Sequence, residues 1–173
     1  MTLSLYEALV PSWLQMIDAL IGVVDKAAAF CAERGISEQA MLETRLAEDM
    51  LPLDFQIKSI WIHSIVAVER IEAGTFSPDR GPTPTSFAEA KEKLQETRDR
   101  IAALPPSALE GLADRDMVFV AGERRVPYTA QNFLLSFSLP NFFFHATTAY
   151  AILRGEGVPL GKSDYIGRPR VKA

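Results

Sequence analysis

Thiol and imidazole are scarce in this chain of 173 residues, which has one cysteine, Cys31, and two histidines, His63 and His145. A single thiol excludes an intramolecular disulfide and the paired-cysteine spacing of a zinc ribbon. Basic side chains are also in the minority, 18 Lys and Arg against 22 Asp and Glu, for a net charge of −4. That balance gives no general attraction to nucleic acid and no polybasic membrane footprint, so neither is an expected partner. No apolar stretch approaches the roughly 20 residues needed to span a bilayer. The opening Met-Thr-Leu-Ser-Leu-Tyr-Glu lacks a cationic region, and Pro11 and Asp18 interrupt the run behind it, unlike a secretory signal. These absences predict a cytoplasmic protein. Glycine patterns of the Walker or Rossmann type are missing. Ser136 and Ser138 have no nucleophile-elbow glycines around them.

What the chain does have is helical periodicity. Hydrophobic residues make up 48% and charged residues 23%, the balance of a globular domain long enough to bury a substantial core. One domain over 1–173 is expected, with a tail from about 156. Val10, Trp13, Leu14, Ile17, Leu20, Ile21, Val24 and Ala28 recur at steps of three and four, which stacks them on one helix face. Ser4 and Glu7 have capping-box spacing at its start, and Gly35 ends it. Pro11 lacks an N–H, so a kink or a fresh start is expected there. Ser37 caps a short connecting helix. A second long helix opens at Pro52, carries Leu53, Ile57, Ile60, Trp61, Ser64, Val68 and Ile71 inward, and closes at Gly74. Residues 74–85 hold three prolines and two glycines and read as a long loop.

Ser86 and Glu89 repeat the capping spacing before a third helix, in which Phe87, Ala90, Leu94, Thr97, Ile101 and Leu104 form a bundle seam. Its charged faces are read as solvated surface. Asp116 to Thr129 is β-branched and aromatic sequence around a Gly-centred turn, read as a β-hairpin that must lean on the helices because a lone ribbon is marginal in water. The fourth helix, about Ala130 to Arg154, is apolar nearly all round and so is expected to be buried on more than one side, in part against a second subunit. Pro140 deprives the Ser136 carbonyl of its donor, which predicts a kink. Tyr165 and Ile166 can anchor the tail, with the final residues loose. The fold class is all-α: four long helices, with the hairpin inserted between the third and fourth.

Polar side chains on the apolar helices mark where chemistry could sit. His63 flanks the inner stripe of the second helix, with Gln56 two turns before it. His145 lies four residues after Asn141 and shares its helix face. With Tyr150 these five residues are the candidate ligand-binding set. The structural readings stand beside that one. His145 can be a core group hydrogen-bonded to a neighbouring helix, His63 can reach solvent, and Asn141 can satisfy backbone freed by Pro140. Cys31 reads as a small core residue. The block Phe142 to Phe144 reads as core packing rather than a base-stacking platform.

Four blocks carry a family likeness: Leu-Tyr-Glu-Ala-Leu-Val-Pro near the N-terminus, Asp49-Met50-Leu-Pro-Leu with Gln56, Pro140-Asn141-Phe-Phe-Phe-His145-Ala-Thr-Thr-Ala-Tyr150, and Gly157-Val-Pro-Leu-Gly-Lys162-Ser-Asp164-Tyr165. From end to end the chain resembles a bacterial domain-of-unknown-function family within the DinB/YfiT-like superfamily. The resemblance implies a four-helix bundle, often dimeric, in a superfamily of metalloenzymes that includes thiol transferases. The superfamily's metal triad takes one His from the second helix and a His-x-x-x-His pair from the fourth. His63 and His145 match two of those roles, but Asn141 and Ala149 stand at the positions four before and four after His145, so the third His is missing. Catalytic zinc ordinarily needs three protein ligands. The expectation is therefore a non-metallic homodimer that binds a small molecule or serves as an interaction scaffold. The alternative is a divalent-metal-dependent hydrolase or thiol-transferase-like enzyme, with zinc or nickel on a reduced site of His63 and His145.

Overall fold

The computed structural model describes residues 3–172; Met1, Thr2 and Ala173 lie outside it, and with them the extreme ends of the N-terminal and tail readings. Helix α1 (Leu5–Arg34) starts on the predicted capping box. Ser4 accepts from the Glu7 amide, and the Glu7 carboxylate accepts from the Ser4 amide. The helix runs through Pro11 without a fresh start, and Gly35 closes it in the left-handed region at φ 65°. Helix α2 (Glu38–Leu42) is capped by Ser37. Helices α3 (Leu53–Trp61) and α4 (Ala67–Ala73) are joined end to end by a π-helical segment, Ile62–Val66. Helix α5 (Phe87–Ala102) buries Phe87, Ala90, Leu94, Thr97 and Ile101, the expected seam. Its capping box is half-formed: the Ser86 hydroxyl accepts from the Glu89 amide, while the Glu89 carboxylate turns to Thr85. A short α6 (Ser107–Glu110) leads to the sheet.

Strands β2 (Asp116–Ala121) and β3 (Arg124–Thr129) pair antiparallel across the Gly122-Glu123 turn, where Gly122 takes φ 60°. The sheet has a third member that the proline-rich segment concealed. β1 (Thr75–Phe76) pairs parallel with β2, Thr75 opposite Val118 and Phe76 opposite Phe119. Gly74 makes this possible, because its left-handed backbone ends α4 and its carbonyl accepts from the Val118 amide at 2.9 Å. The reading of 74–85 as loop throughout is thus corrected: two residues suffice for a strand when the neighbouring hairpin offers an open edge. The sheet leans on the helices through an aromatic cluster of Phe76, Phe119, Tyr128, Phe133 and Phe137.

After β3 come α7 (Ala130–Asn132), a second π segment (Phe133–Ser138) and α8 (Leu139–Gly155). The π segment stands where Pro140 cannot donate to Ser136: the Leu139 amide reaches back five residues to Leu134. The ladder slips by one residue rather than breaking. The two π segments are stitched together by the buried Ser138 hydroxyl, which donates to the His63 carbonyl at 3.0 Å. The Asn141 side chain donates to the Phe137 carbonyl at 2.7 Å, the backbone role foreseen for it. Helix α8 is less enclosed than its composition suggests. Phe142 is buried and Phe143 half-buried, but Phe144 is 53% exposed, so the reading of all three as core is corrected at that residue.

Helix α1 packs against α5 and α8, and α3 packs against the same two. The buried core between them includes Trp13, Ile17, Leu53, Ile60, Leu94 and Phe142, and Cys31 joins it as a free thiol raised by burial and by the nearby Glu38 charge. Helix α9 (Lys162–Ile166) ties the tail down: Tyr165 pairs with Thr147 at 2.8 Å, Gln15 donates to the Ile166 carbonyl, and Arg170 reaches Pro11. Gly167 lies so close to α1 that a Cβ there would meet Ala19 at 2.9 Å. The stitch between the π segments gives a stability prediction. Replacing Ser138 with Ala should lower the unfolding free energy by about 1 kcal/mol in urea titrations, since it removes a buried hydrogen bond. Ser136→Ala, at an exposed position, should stay within about 0.5 kcal/mol of wild type.

Candidate functional site

Two antiparallel helices supply the site, and they do so with the same spacing. Phe55, Ser59 and His63 follow each other at four-residue steps along α3 into its π segment; Phe137, Asn141 and His145 do the same from the second π segment into α8. Four residues advance a helix by little more than a turn, so each set shares a face. The two sets interlock. Phe55 meets His145 edge-on with ring centroids 6.1 Å apart, and Phe137 meets His63 in the same manner at 5.8 Å. Between them the imidazoles stack, 5.6 Å apart and within 12° of parallel. The structure thus brings His63 and His145 together. His63 does not reach solvent: it is only 8% exposed, and its backbone departs from helical geometry at φ −93°, ψ 17°.

Gln56 organises one ring. Its side-chain nitrogen donates to the Leu51 carbonyl at 2.8 Å, which turns its oxygen towards His145, and His145 Nδ1 lies 2.7 Å from that oxygen. A side-chain amide oxygen can only accept, so Nδ1 carries the proton and the neutral ring keeps Nε2 as a lone pair. His63 Nδ1 is buried without a hydrogen-bond partner. Both imidazoles resist protonation. Burial, reinforced by the neighbouring His145, pushes His63 down to about 3, and burial pushes His145 down to about 4.

The rings open onto a cavity of about 180 Å³ whose apolar walls are Phe55, Ile62, Phe76, Pro78, Phe119 and Phe137. Lys58, Ser59, Asp79 and Asn141 add polar atoms to the lining. Lys58 is nearly sealed from solvent and holds the proline-rich segment over the cavity: its ammonium bonds the Asp79 carboxylate and the Gly81 carbonyl, both at 2.6 Å. The Lys58 hydrogen bond, with help from the Gly81 amide, holds the Asp79 carboxyl below the usual carboxylate range. Thr83 bonded to Asp54 fixes the far end of the same segment.

Four of the five residues expected at the site are there: His63, His145 and Asn141 in the lining, and Gln56 behind it. Tyr150 is not. Five positions beyond His145 it has rotated to another face, where its ring packs on Tyr165. The sequence reasoning passed over Phe55, Ser59, Lys58 and Asp79. The repeated Phe-x-x-x-polar-x-x-x-His spacing could have found the first two; nothing local announces that Lys58 and Asp79, 21 residues apart, meet.

A model of the family DUF1993, a domain of unknown function, matches residues 5–166. The chain belongs to that family. No curated protein matches it. Among solved structures this DUF1993 chain is similar to a DinB family member from Shewanella denitrificans, with 28% identity over 98% of this chain and 95% of that one and a TM-score of 0.82. The DinB-like metal centre can therefore be tested against the residues present. Among the described residues, no group of three or more His, Cys, Asp or Glu side chains is placed to hold a metal ion. The one carboxylate in the cavity, Asp79, is already held by Lys58, and that buried ammonium would repel a dication at the same site. The residues do not fit the superfamily's metal.

The depressed imidazoles make stability depend on pH in a defined direction. In the unfolded chain both rings take up protons near 6.5, whereas the folded protein excludes them until about 4 and 3. Their contribution is complete above pH 6.5 and is lost as pH falls towards those folded values. Unfolding free energy should drop by about 4 kcal/mol between pH 7 and pH 5, roughly 2 kcal/mol for each ring, a window above the carboxylates. His145→Gln should flatten the slope by roughly half. Denaturant titrations at the two pH values, giving equal stabilities for wild type, would contradict the burial of neutral rings.

Proposed function

We propose that this DUF1993 protein is a non-metallic small-molecule-binding protein, built as a four-helix bundle with the β2–β3 hairpin inserted before the fourth helix. The bundle reading is supported by the closed circuit in which α1 and α3 each pack against both α5 and α8. One observation carries the functional reading: a cavity with aromatic walls ends on two buried, neutral, stacked imidazoles whose ring nitrogens the protein leaves partly unpaired. Binding sites combine mostly apolar walls with a few convergent polar groups, and buried polar atoms without partners are retained at a stability cost. Gln56 fixes His145 as an acceptor, Phe55 and Phe137 clamp the two rings, and the Lys58–Asp79 pair closes the proline-rich segment over the space. None of these groups is arranged as a nucleophile with an adjacent base, and no catalytic step is assigned.

Homodimerisation belongs to the same proposal. It is supported by Phe144, 53% exposed, and Leu51, 49% exposed, which neighbour the two ends of the Gln56–His145 hydrogen-bond chain. A cytoplasmic setting agrees with the one buried free thiol. No helix among the described residues is long and apolar enough to cross a membrane.

Toluene, a probe of cavity shape alone, should shift the amide resonances of Phe119, Phe137 and His145 saturably. Protein purified without a histidine tag should carry no stoichiometric metal and gain no thermal stability from zinc or nickel. A tightly held ion that is lost in His63→Ala would overturn the non-metallic reading. Sedimentation should give a dimer that Phe144→Asp shifts towards monomer by at least about tenfold in dissociation constant, the size of effect expected on losing a buried aromatic anchor.

A further inference from the structure

The two imidazoles do not offer the cavity the same thing. His145 is fixed with its proton on Nδ1, because the Gln56 oxygen opposite it is committed to accepting by the Leu51 contact behind. Its Nε2 is a bare lone pair. His63 is fixed from the other side. Its Nδ1 is sealed in the protein without a partner, and an N–H orphaned there would be the rarer and costlier arrangement. The neutral ring therefore carries its proton on Nε2. One ring presents a donor and the other an acceptor, and no hydrogen bond joins the two rings across their 5.6 Å separation.

A hydroxyl donates once and accepts in the same place, so it is the smallest group that answers both nitrogens at once. The surrounding walls call for a flat apolar body: Phe55, Phe76, Phe119 and Phe137 line the space, whose volume is about 180 Å³. An engineered apolar cavity of about 150 Å³ is enough to take up benzene. Lys58 and Asp79 in the same lining already balance each other, so no unpaired charge there calls for a charged ligand. We infer that the cavity takes a neutral planar molecule of the phenol class, its O–H donating to His145 Nε2 and its oxygen accepting from His63 Nε2–H. This rests on the reading of the cavity as a small-molecule site, and adds the ligand's chemistry to it.

Three probes of one ring size separate the two statements: phenol, anisole with the oxygen but no donor, and toluene with neither. Calorimetric titration of the full chain should rank phenol at least about tenfold tighter than anisole or toluene, the scale of discrimination a built hydrogen-bonding site gives. His145→Phe should level the three. Long-range nitrogen–proton spectra of the wild-type protein give a readout independent of any variant: they should show a non-protonated His145 Nε2 whose resonance moves on adding phenol and stays still with toluene. Equal affinities for the three probes, or a proton found on His145 Nε2, would overturn the hydroxyl assignment and leave the cavity site standing. Failure of all three to bind would overturn the site itself.

Discussion

Pro140 has no amide hydrogen to give, and much of the site depends on how the chain accommodates that lack. The helix does not break there. Its ladder slips to five-residue spacing over Phe133–Ser138, which turns Phe137 and Ser138 towards the facing helix. A matching slip over Ile62–Val66 brings the His63 carbonyl within reach of the Ser138 hydroxyl. One buried hydrogen bond then joins two irregular backbones that would each be costly alone, since a π segment leaves carbonyls with poor or missing partners. The stacking of His63 on His145 follows from that registration, with Phe55 and Phe137 wedged reciprocally against the opposite rings.

The electrostatic consequence is a pair of imidazoles that stay neutral. Burial disfavours the charged form of each ring, and two like charges at this separation would repel strongly in a poorly polarisable interior. A metal centre uses the same side chains differently: it supplies the positive charge itself and needs further donors to share it. In this DUF1993 chain the cavity's positive charge is already present as Lys58, balanced by Asp79. The DinB-like fold is thus kept while the charged groups at its centre are an ammonium and a carboxylate already paired with each other.

The Lys58–Asp79 pair also shows how the fold spends stability on closure. A buried ammonium is unfavourable unless paired and hydrogen-bonded. Here the pairing partner comes from a segment with little regular structure of its own, so compensating the charge and fastening the segment over the cavity are one event. Thr83 on Asp54 and the two-residue strand β1 on β2 hold the segment at its ends.

Helix positions were legible in the sequence because apolar spacing and capping chemistry are local. Ser4 with Glu7, Gly35, Gly74 and the Phe87–Ile101 seam act within a turn or two of themselves. Three of the site's polar residues in the lining, His63, Asn141 and His145, were legible for the same reason, as polar interruptions of apolar faces. Tyr150 misled because it lies on the same helix but not on the same face. The pairing of β1 with β2, the meeting of Lys58 with Asp79 and the contact of His145 with Gln56 were settled only by tertiary structure. Each depends on a partner far away in the chain, and a hydrogen bond or ion pair between distant residues leaves no periodic trace in the residues that make it.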